Sequence, residues 1–484
     1  MCYNLCCKSR RIGRSFSERK KEIAVKIKNV DMDSPKLLKS IILYCLPLVF
    51  INLIQSVFNS VDMIMLNGFD PDAVAEVGAT TSIIHLFVNA FFGISTGVKV
   101  VLSHQIGARN EAQVKKTVST AIITSTALGI VLAVVGIFFA PTFLGWTKCP
   151  SDSFAGAELY LKVYMIGVPA IMLYNFASAI ITTSGDTQRP LYYMLISGAL
   201  NVVLNFILLL ILPEKVMAVA IATAASQIVG ALLALGRLIR TDGICRFDIK
   251  HLSFSFSALK KILANGVPIA FSSALMPLSN LQIQTQINEL GSAIVAGNSA
   301  SSSIENLIGS VTNSTVGNAV SVFVGYNIGA DRIERVKKSI FYCLTLGAAA
   351  NIVISVAVLI FSRQLSSLYV TDELAILASQ TRLKYNATFY FIACCFSVMS
   401  HTVQAFGYSF LATLNSIISV FVFRTVWMIF IYPPHRIIEE PIASMEWIVK
   451  CWPISWALLL LLNGSLALYL YFAKLKKGTL KKLT

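Results

Sequence analysis

The chain has 484 residues, of which 56% are hydrophobic and 13% are charged, with a formal net charge of +16. Its mean hydropathy is +0.71. A soluble enzyme carries about 25% charged residues, so this composition excludes an ordinary soluble domain. The placement of the charge argues against nucleic acid as a partner, because the basic residues sit in separate loops and tails between long apolar runs.

The N-terminal tail, residues 1–35, carries Arg10, Arg11, Arg14, Arg19, Lys20, Lys21, Lys26 and Lys28. It opens on "MCYNLCC", which reads either as an acylation site beside basic residues or as plain disordered tail. The first apolar run lies behind this tail and reads as a retained span, not a cleaved signal. Twelve runs follow, at 38–66, 75–103, 118–144, 156–183, 190–212, 216–236, 260–288, 293–322, 337–361, 377–405, 410–432 and 448–472. Each is long enough for a bilayer core, which needs about 20 apolar residues per helix. They are too continuous for the short alternating strands of a β-barrel. The ten Cys residues show no metal or redox spacing.

The loops alternate in charge. Arg237, Arg240, Arg246, Lys250, Lys260 and Lys261 gather around the middle of the chain, and Lys474, Lys476, Lys477, Lys481 and Lys482 gather near its end. "NGFDPDAVAE" and "IIEEPIASME" are neutral or acidic. An excess of Lys and Arg on one side marks the cytoplasmic face. Both termini are therefore expected in the cytoplasm of a cell with the protein in its plasma membrane, which agrees with an even number of spans.

The chain also repeats itself. "HQIGARNEAQVKK" begins at His104 and "YNIGADRIERVKK" at Tyr326, an offset of 222 residues. Gly185 in "TSGDTQRP" and Gly407 in "AFGYSFLA" share that offset, and Pro47 has a near counterpart in Pro268. The expectation is an all-α membrane protein of two pseudo-symmetric six-helix bundles, 36–237 and 258–475, with a cytoplasmic linker at 238–257 and a tail at 476–484. Parallel repeats of this kind place substrate sites between or within the halves.

An ionisable group inside a span is a functional candidate by default. Asp62 lies deep in the first run, with Gln55 and Asn59 on roughly its face. Asn175 is in the fourth run, Asn201 and Asn205 share a face of the fifth, and Thr223 is in the sixth. Together they offer a carboxylate, amide carbonyls and a hydroxyl, hard oxygen ligands suited to a small cation. In the second half, Glu305 and Arg424 are expected to pair or to serve the cleft. Asn280, Gln282, Gln284 and Gln286 form a polar row, part facing the cleft and part facing neighbours. His401 reads as a packed polar residue or a proton carrier.

The motifs "QSVFNSVDMIML", "GISTGVKVVLSHQIGARN", "TTSGDTQRPLYYMLISGALNVVLN", "AIATAAS" and "NIGADRIERVKK", in this order, resemble the multidrug and toxic compound extrusion (MATE) transporters over roughly 36–475. The resemblance implies two six-helix bundles around a V-shaped cleft. It also implies export of amphipathic, often cationic compounds against entry of Na⁺ or H⁺. One branch, the DinF-like transporters, has a first-span Asp matching Asp62, a fifth-span Asn matching Asn201 and a sixth-span Thr matching Thr223. Its second fifth-span acid falls on Asn205 here, so one carboxylate of two is missing. The other branch uses acids in spans seven and ten, and neither region here contains one.

The expected function is thus a secondary antiporter, acting as a monomer among membrane lipids. It takes organic cations or other amphiphiles into a cleft at Gln55, Asn59, Asn175, Gln282, Gln284, Glu305 and Arg424. H⁺ or Na⁺ couples at Asp62, Asn201, Asn205 and Thr223, and no other cofactor is expected. No nucleophile, metal cluster or carboxylate pair supports a membrane enzyme, and no phosphate-binding loop supports an ATP-driven pump. A channel fits a two-fold repeat with one buried acid less well than alternating access does. A lipid-linked oligosaccharide flippase remains an alternative, since its families resemble this architecture. Its cleft should be lined by Arg and Lys, and the sequence offers Arg424 as the deep basic residue, which favours neutral or cationic cargo.

Overall fold

In the computed structural model of the protein, residues 30–147, 149–437, 439–480 and 483 are described, without the side chains at 59, 60, 71, 72, 307, 310 and 311. The "MCYNLCC" start, most of the basic tail and the Asn59 side chain lie outside the described residues.

Without water in a bilayer core, each backbone amide must be paired within its own segment, which leaves helices for long apolar runs. The first half forms α1 (Leu37–Phe69), α2 (Pro71–Gly107), α3 (Glu111–Phe138), α4 (Phe154–Thr183), α5 (Gln188–Ile211) and α6 (Lys215–Arg240). The second forms α7 (Phe256–Asn288), α8 (Ser292–Gly309, continued by a π-helical turn, Ser310–Ser314, into Thr315–Gly329), α9 (Ile333–Ile360) and α10 (Glu373–Ala405). It closes with α11 (Ser409–Ile431) and α12 (Pro441–Leu475). Among the described residues ten helices are long and apolar enough to cross a membrane, all but α8 and α10. The protein is a multi-pass integral membrane protein. The two exceptions are helical over the expected intervals 293–322 and 377–405. Their hydropathy is lowered by Asn298, Glu305, Arg382 and Asn386, all of which turn into the protein and are buried.

The sequence repeat is a repeat of backbone shape. Arg109 and Asp331, 222 residues apart, both adopt a left-handed conformation, with φ of 55° and 57°. Gly185 and Gly407 do the same, at 92° and 86°. Left-handed residues end helices and satisfy their last carbonyls. Each Lys-ending turn therefore stops one helix and starts the next, and Asn110 caps α3 by accepting from the Gln113 amide at 3.2 Å.

The halves meet along α2, which packs on α7 and α8. At Gly97 and Gly266 the two backbones touch: a Cβ on Gly97 would lie 2.6 Å from Gly266 Cα. Small residues of this kind let membrane helices approach closely. His104 Nε2 donates to Ala405 O at 2.7 Å, and the Tyr44 and Phe323 rings meet edge to face with centroids 5.5 Å apart.

A short segment before α1 ties the same end together. Asp33 is paired with Arg109 of the first half, at 3.3 Å, and with Arg332 of the second. Arg335 donates to Met32 O and Ser34 O at 2.8 and 3.1 Å, and Val30 N donates to Gly185 O at 2.8 Å. Burial alone would raise the Asp33 pKa. Hydrogen bonds from Tyr326 and Arg332, the Arg332 charge and a hydrogen bond from Arg109 outweigh that and hold it below the usual carboxylate range.

Candidate functional site

In the first half, α1, α5 and α6 bring four polar side chains together. Asn205 Nδ2 donates to Asp62 Oδ1 at 2.7 Å. Asn201 lies one turn away on α5, and its amide sits between Asp62 and Thr223. An ionised carboxylate only accepts, so the end of that amide 2.7 Å from Oδ1 and 3.3 Å from Oδ2 is then its NH₂. Its carbonyl oxygen in that orientation faces Thr223 Oγ1 at 3.4 Å. A protonated Asp62 would donate and favour the opposite orientation. The amide can therefore serve either form of the acid by a flip, without moving a helix.

Asn205 is fully buried, and its Oδ1 has no partner among the described residues. Leaving a buried acceptor unmade costs about 1–3 kcal/mol. Asp62 and Thr223 Oγ1, joined by the Asn201 and Asn205 carbonyls if those amides turn, could supply hard oxygens of the kind a small alkali cation accepts.

The other first-half candidates lie apart from this cluster. Gln55 is exposed on α1. Asn175 is half-buried on α4 and spends its Nδ2 on Ile171 O at 2.9 Å, within its own helix.

The second half differs from expectation. Glu305 pairs with Arg382 of α10, not with Arg424: Arg382 Nη2 is 2.5 Å from Glu305 Oε2, and Nε is 3.2 Å from Oε1. The guanidinium has the planar fork that matches a carboxylate. Asn386 Nδ2 donates to Glu305 Oε1 at 2.8 Å, and Asn298 Oδ1 accepts from Arg382 Nη1 at 2.6 Å. Gln284 joins this network, its Oε1 accepting from Asn298 Nδ2 at 2.9 Å.

Arg424 has no carboxylate within ion-pair distance among the described residues. It is 3% exposed and donates to Ser455 Oγ at 3.1 Å and Asn280 Oδ1 at 3.2 Å. Arg382 and Arg424 both lie against the Trp452 ring, 4.7 and 5.9 Å from its centre. Gln282 Oε1 accepts from Thr425 at 2.8 Å. The polar row of α7 is thus divided: Asn280 and Gln282 turn to α11, Gln284 to α8. His401 Nδ1 donates to Ser397 O at 2.8 Å, and its ring packs on Gly317.

Sequence reasoning missed two deep cations, Arg382 and Lys99. Lys99 on α2 is 8% exposed, and its Nζ donates to Asn318 Oδ1 of α8 at 2.7 Å. Arg424 is therefore not the only deep basic residue, and its presence no longer favours cationic cargo. Lys99 stands in the quoted stretch "GISTGVKVVLSHQIGARN", where an isolated Lys amid Gly, Ser and Val was the available signal.

The MatE family model matches residues 47–207 and 268–430. The chain is 26% identical over 394 residues to the probable multidrug resistance protein YoeA of Bacillus subtilis (strain 168), covering 80% of this chain and 85% of that one. It is 25% identical over 401 residues to the probable multidrug resistance protein YpnP of the same strain, covering 82% and 89%. A crystal structure of MATE in the bent conformation superposes with a TM-score of 0.84 at 19% identity, covering 92% of this chain and 97% of that one.

Proposed function

The chain belongs to the MatE family, and we propose that it is a secondary active exporter of amphipathic small molecules, driven by entry of H⁺ or Na⁺ at Asp62. The names of its relatives, which describe multidrug resistance, support the efflux reading. The observation that carries the coupling reading is the meeting of Asp62 with Asn205, Asn201 and Thr223 from three helices of one half.

Asp62 holds the exchangeable charge. Asn205 orients it, and Asn201 accommodates either protonation state by amide orientation. Bound Na⁺ would be held by the Asp62 carboxylate, the two Asn carbonyls and Thr223, and would supply a counter-charge in a site otherwise costly to ionise. A ligand shifts a two-state equilibrium only by its differential affinity for the two states. Neutralised and ionised Asp62 must therefore favour different packings of α1 on α5 and α6. Pro47 lies within α1 and removes one helix hydrogen bond, giving a place to bend.

The close seam at Gly97 and Gly266 supports alternating access with this end shut. The basic turns at Lys115, Arg240 and Lys337 support its placement in the cytoplasm.

The test is transport of a fluorescent amphiphile in inverted vesicles, with Na⁺ and pH gradients imposed separately. Asp62→Asn, at matched protein level, should abolish gradient-driven transport. Wild-type rates in that variant would sink the assignment.

A further inference from the structure

We propose that the exposed side of the junction between α2 and α8 takes substrates bearing an anionic group, a carboxylate or its equivalent, and that Lys99 is the residue that meets it. This rests on the export reading and specifies its cargo.

Lys99 sits where the closed seam gives way. On the seam side, Gly97 is packed against Gly266 and Ile262 of the second half, and Val98, Val100 and Val101 are fully buried. On the other side, Phe92 is 41% exposed and Ser314 is exposed. Helical side chains lean towards the helix N-terminus, and Lys99 does so: its Nζ lies 5.3 Å from the centre of the Phe92 ring, seven residues earlier on α2. The ammonium is thus carried away from the seam and towards the exposed side.

Both halves build the floor around it. Asn318 Oδ1 takes one Lys99 N–H at 2.7 Å, and Asn318 Nδ2 donates to Ser314 O at 2.8 Å. Asn52 of α1 donates to Thr315 Oγ1 at 3.3 Å. No carboxylate lies within ion-pair distance of Nζ among the described residues, and the ammonium has three donors.

A cation at this depth is costly unless something compensates it. Glu305 is already held by Arg382, and Asp62 is held by Asn205 inside the first half. Asn318 and the Phe92 ring compensate it only in part, and an anionic group from outside the chain would complete the pairing. Phe92 supplies an apolar ring beside the ammonium, which together match an aromatic or apolar body ending in a carboxylate. A substrate bearing only positive charge would meet repulsion here.

Wild-type protein in detergent, with no gradient, should bind a rhodamine with a free carboxylate at least tenfold more tightly than its ethyl ester, read by fluorescence anisotropy. Lys99→Met, which keeps the stem and removes the charge, should erase that preference, and Lys99→Arg should retain part of it. Equal or reversed affinities in the wild type would overturn the proposal, as would a preference that survives in Lys99→Met. If Lys99→Met does not fold, the acid–ester comparison in the wild type decides alone. Failure of gradient-driven efflux with the acid preference intact would strike the export reading and leave this one standing.

Discussion

Asn205 donates to Asp62 at 2.7 Å from a different helix, while its own carbonyl oxygen stays buried and unpartnered among the described residues. One amide thus anchors the acid and keeps an acceptor in reserve. Asn205→Leu removes both. It should lower transport about tenfold or more, because Asp62 loses its orienting donor and the cation loses an oxygen. The loss of a buried charge-assisted hydrogen bond should also destabilise by about 1–3 kcal/mol. Efflux rates and thermal unfolding of the purified protein check both parts.

The Glu305–Arg382 pair gives a second expectation. Removing one partner of a buried ion pair costs about 3–5 kcal/mol, because the other charge is left uncompensated. Glu305→Gln and Arg382→Met should each lower the unfolding temperature by roughly 5 °C or more. Arg382→Met with Glu305→Gln should recover most of that loss. Additive losses in the double variant would mean that the two side chains do not act as a pair.

Gly97 and Gly266 have no room for a side chain between them. Gly97→Val should wedge this end open, with an overpacking cost of about 1–3 kcal/mol. That is enough to shift a two-state balance by roughly 5- to 150-fold. Alkylation of a cysteine placed at Ser103, buried on the seam, should rise at least fivefold. Unchanged labelling would mean that the seam does not report access.

Asp33 predicts a pH dependence. Its folded pKa lies below its ordinary value, so the folded state binds fewer protons than the unfolded one. The stabilisation is then complete above the ordinary Asp value of about 4 and is lost as pH falls through the folded pKa. Amide protection of the Gly107–Asn110 turn should hold from about pH 8 to 5 and fall only below about 4. Asp33→Asn should lower it already at pH 7, modestly, since exposed pairs are worth at most about 1 kcal/mol. Full protection in Asp33→Asn would show that the Arg335 contacts suffice.

The parts that were legible in the sequence share a physical cause. A carboxylate or amide in an apolar run stands out because burying it is expensive, so Asp62, Asn201, Asn205 and Thr223 could be named before their adjacency was visible. The turns at Arg109 and Asp331 could be paired because a left-handed helix stop has a short local signature. Arg382 stands near the start of α10, where a basic residue reads as an interfacial one. Lys99 reads as a Lys reaching for the membrane surface, and only the neighbouring α8 shows that it ends at Asn318 instead. Glu305 and Arg424 were matched because they were the conspicuous charges left over. Which guanidinium meets Glu305 depends on how α8, α10 and α11 cross, and no local pattern records that.

The ring between Arg382 and Arg424 also makes this protein its own spectroscopic probe. Of five tryptophans, four lie in the second half: Trp427, Trp447, Trp452 and Trp456. Trp427 donates to Trp447 O at 3.0 Å, and Trp456 packs on Tyr390 with ring centroids 5.4 Å apart. Trp146 alone belongs to the first half, where it is 75% exposed. With Trp146→Phe, ultraviolet emission becomes a label-free signal from one half only. Cation entry at Asp62 would stay dark unless it moves α11 and α12, so a change in emission on adding Na⁺ or acid would time the passage of information from one half to the other.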